Sequence, residues 1–126
     1  MKSLILVLAA FVTLCACGGN SSIRPVSELK TLPAKKIFEF GAERYTASDY
    51  NNAVYYYSNI IALYPEDIDY QAMATYEIGF IYFRQKRYQE ALDQFNKVEN
   101  IKTSSTAPLI LANQMIRKIE ALSPQK

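Results

Sequence analysis

Between residues 34 and 122 the apolar side chains recur every three or four positions, the period of helices with one buried face. Residues 34–46 read as a first helix, with Ile37, Phe40, Gly41 and Arg44 along one side and Pro33 suited to its start. Ser48 and Asp49 interrupt the pattern and are suited to cap the next helix. That second helix covers 50–64, with Ala53, Tyr57, Ile60, Ile61 and Tyr64 inward, and Pro65 ends it. Glu66, Asp67, Ile68 and Asp69 read as an acidic loop. A third helix, 71–84, turns Thr75, Ile78, Gly79 and Tyr82 to one face. Gln85, Lys86 and Arg87 make the turn to a fourth, 88–100, whose inward residues are Ala91, Leu92, Phe95 and Val98. After a polar loop, a fifth helix over 107–122 carries the stripe Leu109, Ala112, Met115, Ile116, Ile119 and Leu122, with Thr106 as its N-cap. Residues 123–126 form a short polar tail. The expected class is all-α.

The helices form pairs with a repeated chemistry. Gly41 and Gly79 stand 38 residues apart, and Tyr50 and Tyr88, Ala53 and Ala91, and Tyr57 and Phe95 keep the same offset. The chain has 4 glycines, and the other two, Gly18 and Gly19, lie near the N-terminus. Every glycine of the body therefore occupies one equivalent place, where two helix backbones approach. The pattern predicts two helical hairpins, 34–67 and 72–105. A third copy would put its glycine at 117, where the chain has Arg117. The helix 107–122 is accordingly expected to cap the second hairpin, because a stack of repeats leaves an apolar end that needs cover.

This pattern resembles the tetratricopeptide repeat: Gly41, then Tyr50, Ala53, Tyr57 and Pro65, and in the second copy Gly79, Tyr88, Ala91 and Phe95. The offset exceeds the usual repeat length of about 34 by roughly four residues, placed by the sequence in the connection 67–71. Thr103 stands where the first copy has Pro65. The resemblance implies a short α-solenoid of two hairpins and a cap. It also implies a concave groove lined by the first helix of each pair, which grips peptides. On this sequence the groove carries Lys35, Phe38, Ala42, Tyr45 and Thr46 from the first pair, and Met73, Tyr76, Phe80, Phe83 and Arg84 from the second. Half of these are aromatic, a residue class that binding surfaces favour. Tyr55, Tyr56 and Tyr57 fan over about 200° of helix, so Tyr55 or Tyr56 is expected to face outward, toward solvent or a partner.

The N-terminal residues 1–16 read as an export signal. Lys2 supplies a positive start, and the apolar run 4–14 is about 11 residues, short of the roughly 20 a membrane span needs. It ends in Leu14, Cys15, Ala16, Cys17 and Gly18, which resembles the lipobox of bacterial lipoproteins. That resemblance implies cleavage after Ala16 and lipidation of Cys17, whose acyl chains (palmitate among them) hold the protein on a membrane. The mature chain then has no free thiol, because Cys15 leaves with the signal. Residues 17–33, rich in Gly, Ser, Asn and Pro, read as a lipidated tether, of which Val26, Leu29 and Leu32 are able to pack on the first helix. Gly18 and Gly19 after the cysteine lean toward the outer membrane rather than the inner. Anchor, tether and repeats together resemble the lipoprotein of the outer-membrane β-barrel assembly machinery, the BamD-like family, over its N-terminal part.

Charge and composition narrow the function further. Among 126 residues, 14 basic and 12 acidic side chains leave a net charge of +2, without the basic block of a nucleic-acid footprint. Histidine is absent, and with it the commonest general base and metal ligand. The loop 66–69 lacks the glycine and closing glutamate of a calcium loop; Ile78 sits where that glutamate would fall. No nucleophile–base pair or phosphate loop stands out, so no enzyme activity, cofactor or metal is expected. The expected function is an envelope-anchored scaffold in the periplasm that holds a protein partner, with barrel-assembly components as candidates. The alternative is a cell-wall lipoprotein whose exposed tyrosines stack on peptidoglycan sugars.

Overall fold

The computed structural model describes residues 22–122. Six helices succeed one another: α1 (Val26–Leu29), α2 (Ala34–Thr46), α3 (Tyr50–Leu63), α4 (Ile68–Arg84), α5 (Tyr88–Asn100) and α6 (Thr106–Leu122), with no strand among the described residues. Helix α2 packs along α3, and α4 along α5. Helix α4 rests on α3 and touches α2; α6 rests in the same way on α5 and touches α4. No helix among the described residues is long and apolar enough to cross a membrane.

The turns inside the two pairs match bond for bond. In the first, Ala47 N–H donates to Glu43 O (3.1 Å), Ser48 N–H to Tyr45 O (2.9 Å) and Asp49 N–H to Arg44 O (2.9 Å). In the second, Gln85 N–H donates to Ile81 O (3.1 Å), Lys86 N–H to Phe83 O (2.9 Å) and Arg87 N–H to Tyr82 O (2.9 Å). This pattern closes a helix when the residue after the C-cap turns left-handed. Ser48 (φ 59°) and Lys86 (φ 61°) hold that conformation without being glycine. The capping expected of Ser48 and Asp49 therefore holds only in position: Asp49 is the N-cap of α3, its carbonyl accepting from Ala53 N–H (3.0 Å), while Ser48 takes no part in it. Ser48 ends α2 through its backbone. Asp49 precedes α3 but makes no side-chain bond to its N–H groups; its carboxylate instead accepts from Asn52 Nδ2 (2.7 Å) and faces Arg44 (3.6 Å).

The acidic loop is a second correction. Only its beginning is loop, because Asp67 is the N-cap of α4 and accepts from Tyr70 N–H (3.3 Å). Helix α4 is thus one turn longer than α2, with 17 residues against 13. A capping aspartate satisfies N–H groups that are otherwise orphaned at a helix start, and this extends the helix backwards. Gln71, in the added turn, donates from Nε2 to Ile61 O (2.8 Å) and Tyr64 O (3.1 Å), closing the C-terminus of α3.

The tether is corrected only in part: the packing allowed for Leu29 and Leu32 occurs, while Val26 stays exposed. Its described part is folded onto the first pair. Leu29 is fully buried and belongs to the core of Ile37, Ala53, Tyr57 and Ile60. The Tyr64 hydroxyl is shared between the carbonyls of Leu29 (3.2 Å) and Leu32. Arg24 N–H donates to Tyr56 Oη (3.1 Å), and Tyr55 O–H donates to Arg24 O (3.0 Å). The export signal and Cys17 lie outside the described residues, as does the tail 123–126.

That docking decides the fate of the three tyrosines. Tyr56 and Tyr57 are both buried and Tyr55 is half-buried. One face of α3 meets α2 and the neighbouring face meets the N-terminal segment, so adjacent residues find cover on both sides. The expectation that Tyr55 or Tyr56 faces freely outward does not hold.

A second core forms from Ala91, Phe95, Val98, Ala112, Met115 and Ile119, joining α5 to α6. Helix α6 buries Ala112, Met115 and Ile119 at the spacing of Ala72, Thr75 and Gly79 in α4 and of Ala34, Ile37 and Gly41 in α2. The offset from α4 is 40 residues rather than 38, so Ile119, not Arg117, takes the glycine place. The cap is a first helix in a shifted register.

Candidate functional site

The face formed by α2 and α4 carries a row of rings. Tyr45 lies between Tyr50 (centroids 5.7 Å apart) and Phe80 (6.1 Å). Phe80 continues to Tyr76 (6.1 Å) and to Phe83 (6.3 Å), both nearly parallel to it. Phe83 then meets Tyr88 (5.7 Å), and Lys118 of α6 lies over its ring (5.3 Å). Tyr45, Tyr76, Phe80 and Phe83 are half-buried, so each presents an edge or face to solvent while its neighbours hold it. Rings fixed in this way lose little freedom when they bind.

The structure separates the other sequence-predicted residues by role. Phe38 sits at the edge of the first core, against Tyr57 (5.1 Å) and Tyr70 (5.8 Å), with part of its surface still open. Lys35 and Arg84 lie at either end of the face, and Met73 is half-buried. Ala42 and Thr46 line a shallow depression with Glu39 and Glu43. Cys17 is outside the described residues. The aromatic row is thus one connected group, while Phe38 is mainly a packing residue.

Sequence reasoning missed Glu77. It lies among the predicted groove residues of α4 and lines a cavity of about 110 Å³ with Met73, Tyr76, Ser105, Ala107, Pro108 and Leu111. Burial pushes its carboxyl above the usual carboxylate range. Its charge in turn helps push the Tyr57 and Tyr76 phenols up, after burial itself. The available signal was its offset: Glu77 is the counterpart of Glu39 in the first pair.

Beyond this face, Asp69 gathers the loop between α5 and α6. Its carboxylate accepts from Thr103 Oγ1, Ser104 Oγ (3.3 Å) and Ser105 N–H (3.4 Å). The Thr103 hydroxyl, first among these bonds, holds its carboxyl below the usual range. No group of three metal-ligating side chains occurs among the described residues. At the other end, Arg24 lies 4.6 Å over Phe40 and pairs with Glu28, bordering a cleft of about 330 Å³ where the N-terminal segment enters.

In comparison with known proteins, no family model, no curated protein and no solved structure matches this chain.

Proposed function

We propose that this protein is an envelope lipoprotein, anchored through Cys17, whose aromatic face holds a partner protein. The observation that carries the reading is the connected row Tyr45, Phe80, Tyr76 and Phe83, half-buried and backed by two cores. Ordered, partly open aromatics are the usual centre of a protein interface. The paired helices, their matched turns and the close approach at Gly41 and Gly79 favour the tetratricopeptide arrangement, in which this face is the concave one. The proposed role is non-catalytic, at the outer membrane facing the periplasm, with barrel-assembly components as candidate partners.

The cell-wall alternative drew on outward tyrosines. Tyr55 and Tyr56 are engaged by Arg24, so they lend it no support.

The test is crosslinking in the native envelope and then affinity purification, with wild type, Cys17→Ser and Phe80→Ala compared. Loss of membrane attachment in Cys17→Ser and loss of a specific crosslinked protein in Phe80→Ala are expected. A wild type that captures no protein, or an unchanged set in Phe80→Ala, overturns the interaction reading.

A further inference from the structure

The geometry points to Glu77 as the anchor for a lysine or arginine side chain of a partner peptide that enters between α4 and α6. This rests on the aromatic face being a binding surface and names the chemistry of what it takes.

The two helix pairs treat one carboxylate differently. In the first pair, Glu39 is neutralised internally by Lys36, whose Nζ lies 2.9 Å from Oε2. The counterpart of Glu39 is Glu77, and the counterpart of Lys36 is Ala74. Lys35, whose charge also acts on Glu39, has Met73 in its place. The second pair therefore keeps the carboxylate and lacks both cations. Among the described residues Glu77 has no hydrogen-bond or ion-pair partner, and burial alone accounts for its raised carboxyl. Its oxygens still reach solvent, but a partly desolvated carboxylate without a partner is less favourable than a paired one, and an incoming cation relieves that.

The surroundings fit the same ligand. The cavity at Glu77, about 110 Å³, holds the end of one long side chain, since a water takes about 30 Å³. Met73 and Tyr76 form one wall and Pro108 and Leu111 the other. Apolar walls suit the methylene stem of lysine or arginine, and the Tyr76 ring suits its charged end. The aromatic row beginning at Tyr76 then receives the apolar residues that flank the basic one. An acidic peptide, by contrast, would bring like charge to Glu77. A basic residue in an apolar context is thus the signature of the partner segment.

The experiment selects peptides from a displayed library of random sequences on the full-length protein, then measures each selected peptide against wild type, Glu77→Gln and Phe80→Ala, with helicity checked by circular dichroism. The expected result is enrichment of lysine or arginine beside apolar residues, with affinity for Glu77→Gln lower by about tenfold or more, the scale of one charge-assisted hydrogen bond. Peptides without basic residues, or peptides that bind Glu77→Gln as well as wild type while losing Phe80→Ala, overturn this inference and leave the aromatic face as a binding surface. If no peptide is selected, or both variants bind as wild type does, the binding-surface reading falls and this inference with it.

Discussion

A methyl group on Gly41 would come within 2.6 Å of Cε1 of the Tyr57 ring, and that ring is itself fully buried. Gly79 stands in the same relation to Phe95, at 2.8 Å. Neither aromatic can swing aside, since each is walled in by its own core. Alanine is the better helix former by about 1 kcal/mol, but overpacking a closed contact costs about 1–3 kcal/mol. Gly41→Ala and Gly79→Ala are each expected to lower stability in denaturant titration despite their helix propensity. An unchanged or raised midpoint would mean that the helices separate without penalty.

The left-handed residues between the paired helices invite the opposite change. Ser48 and Lys86 are exposed and adopt φ near +60°, a region that disfavours a residue with a Cβ. Ser48→Gly and Lys86→Gly are expected to stabilise the protein by about 0.5–1 kcal/mol each. The two turns lie in different helix pairs, so the double variant should show the sum. Thermal unfolding of the single and double variants checks this.

Leu29 is a test of whether the N-terminal segment belongs to the fold. It is fully buried in the first core, and truncating such a leucine costs about 2–5 kcal/mol. Leu29→Ala should lower stability on that scale, and Tyr64→Phe, which removes the hydroxyl bonded to Leu29 and Leu32, by about 1 kcal/mol. A change within about 0.5 kcal/mol for Leu29→Ala, the range of ordinary surface substitutions, would mean that the segment is a free tether.

Glu77 gives the protein a pH dependence of predictable sign. Its folded carboxyl titrates above its unfolded value because burial disfavours the charge. Its favourable contribution is therefore complete below the ordinary glutamate range and is lost as pH rises through the raised folded value. Glu77→Gln, neutral throughout, should gain stability relative to wild type as pH rises from about 4 to about 7. Chemical denaturation of both proteins across that range measures it; a constant difference would show that the carboxylate is not desolvated.

Much of the fold was legible because its determinants are local or periodic. The three- and four-residue spacing located the five long helices, and the shared offset of Gly41 and Gly79, with Tyr57 and Phe95, identified which helices pair and through which side chains. The residues Tyr45, Tyr76, Phe80 and Phe83 were singled out by the resemblance to the tetratricopeptide repeat, not by the spacing; that their rings form one connected row came from the structure. What sequence period cannot report is what covers a face once it is formed. Helical spacing alone turns Tyr55 or Tyr56 outward, and it is the segment around Arg24 and Leu29 that covers them. The register of α6 depends on how it seats against α5, which puts Ile119, and not position 117, in the place equivalent to Gly79. Glu77 is one acidic residue among many in the sequence. Only packing shows that the first pair neutralises the equivalent carboxylate through Lys36 and the second pair leaves it without a cation, because desolvation and charge pairing depend on neighbours in space rather than on neighbours in the chain.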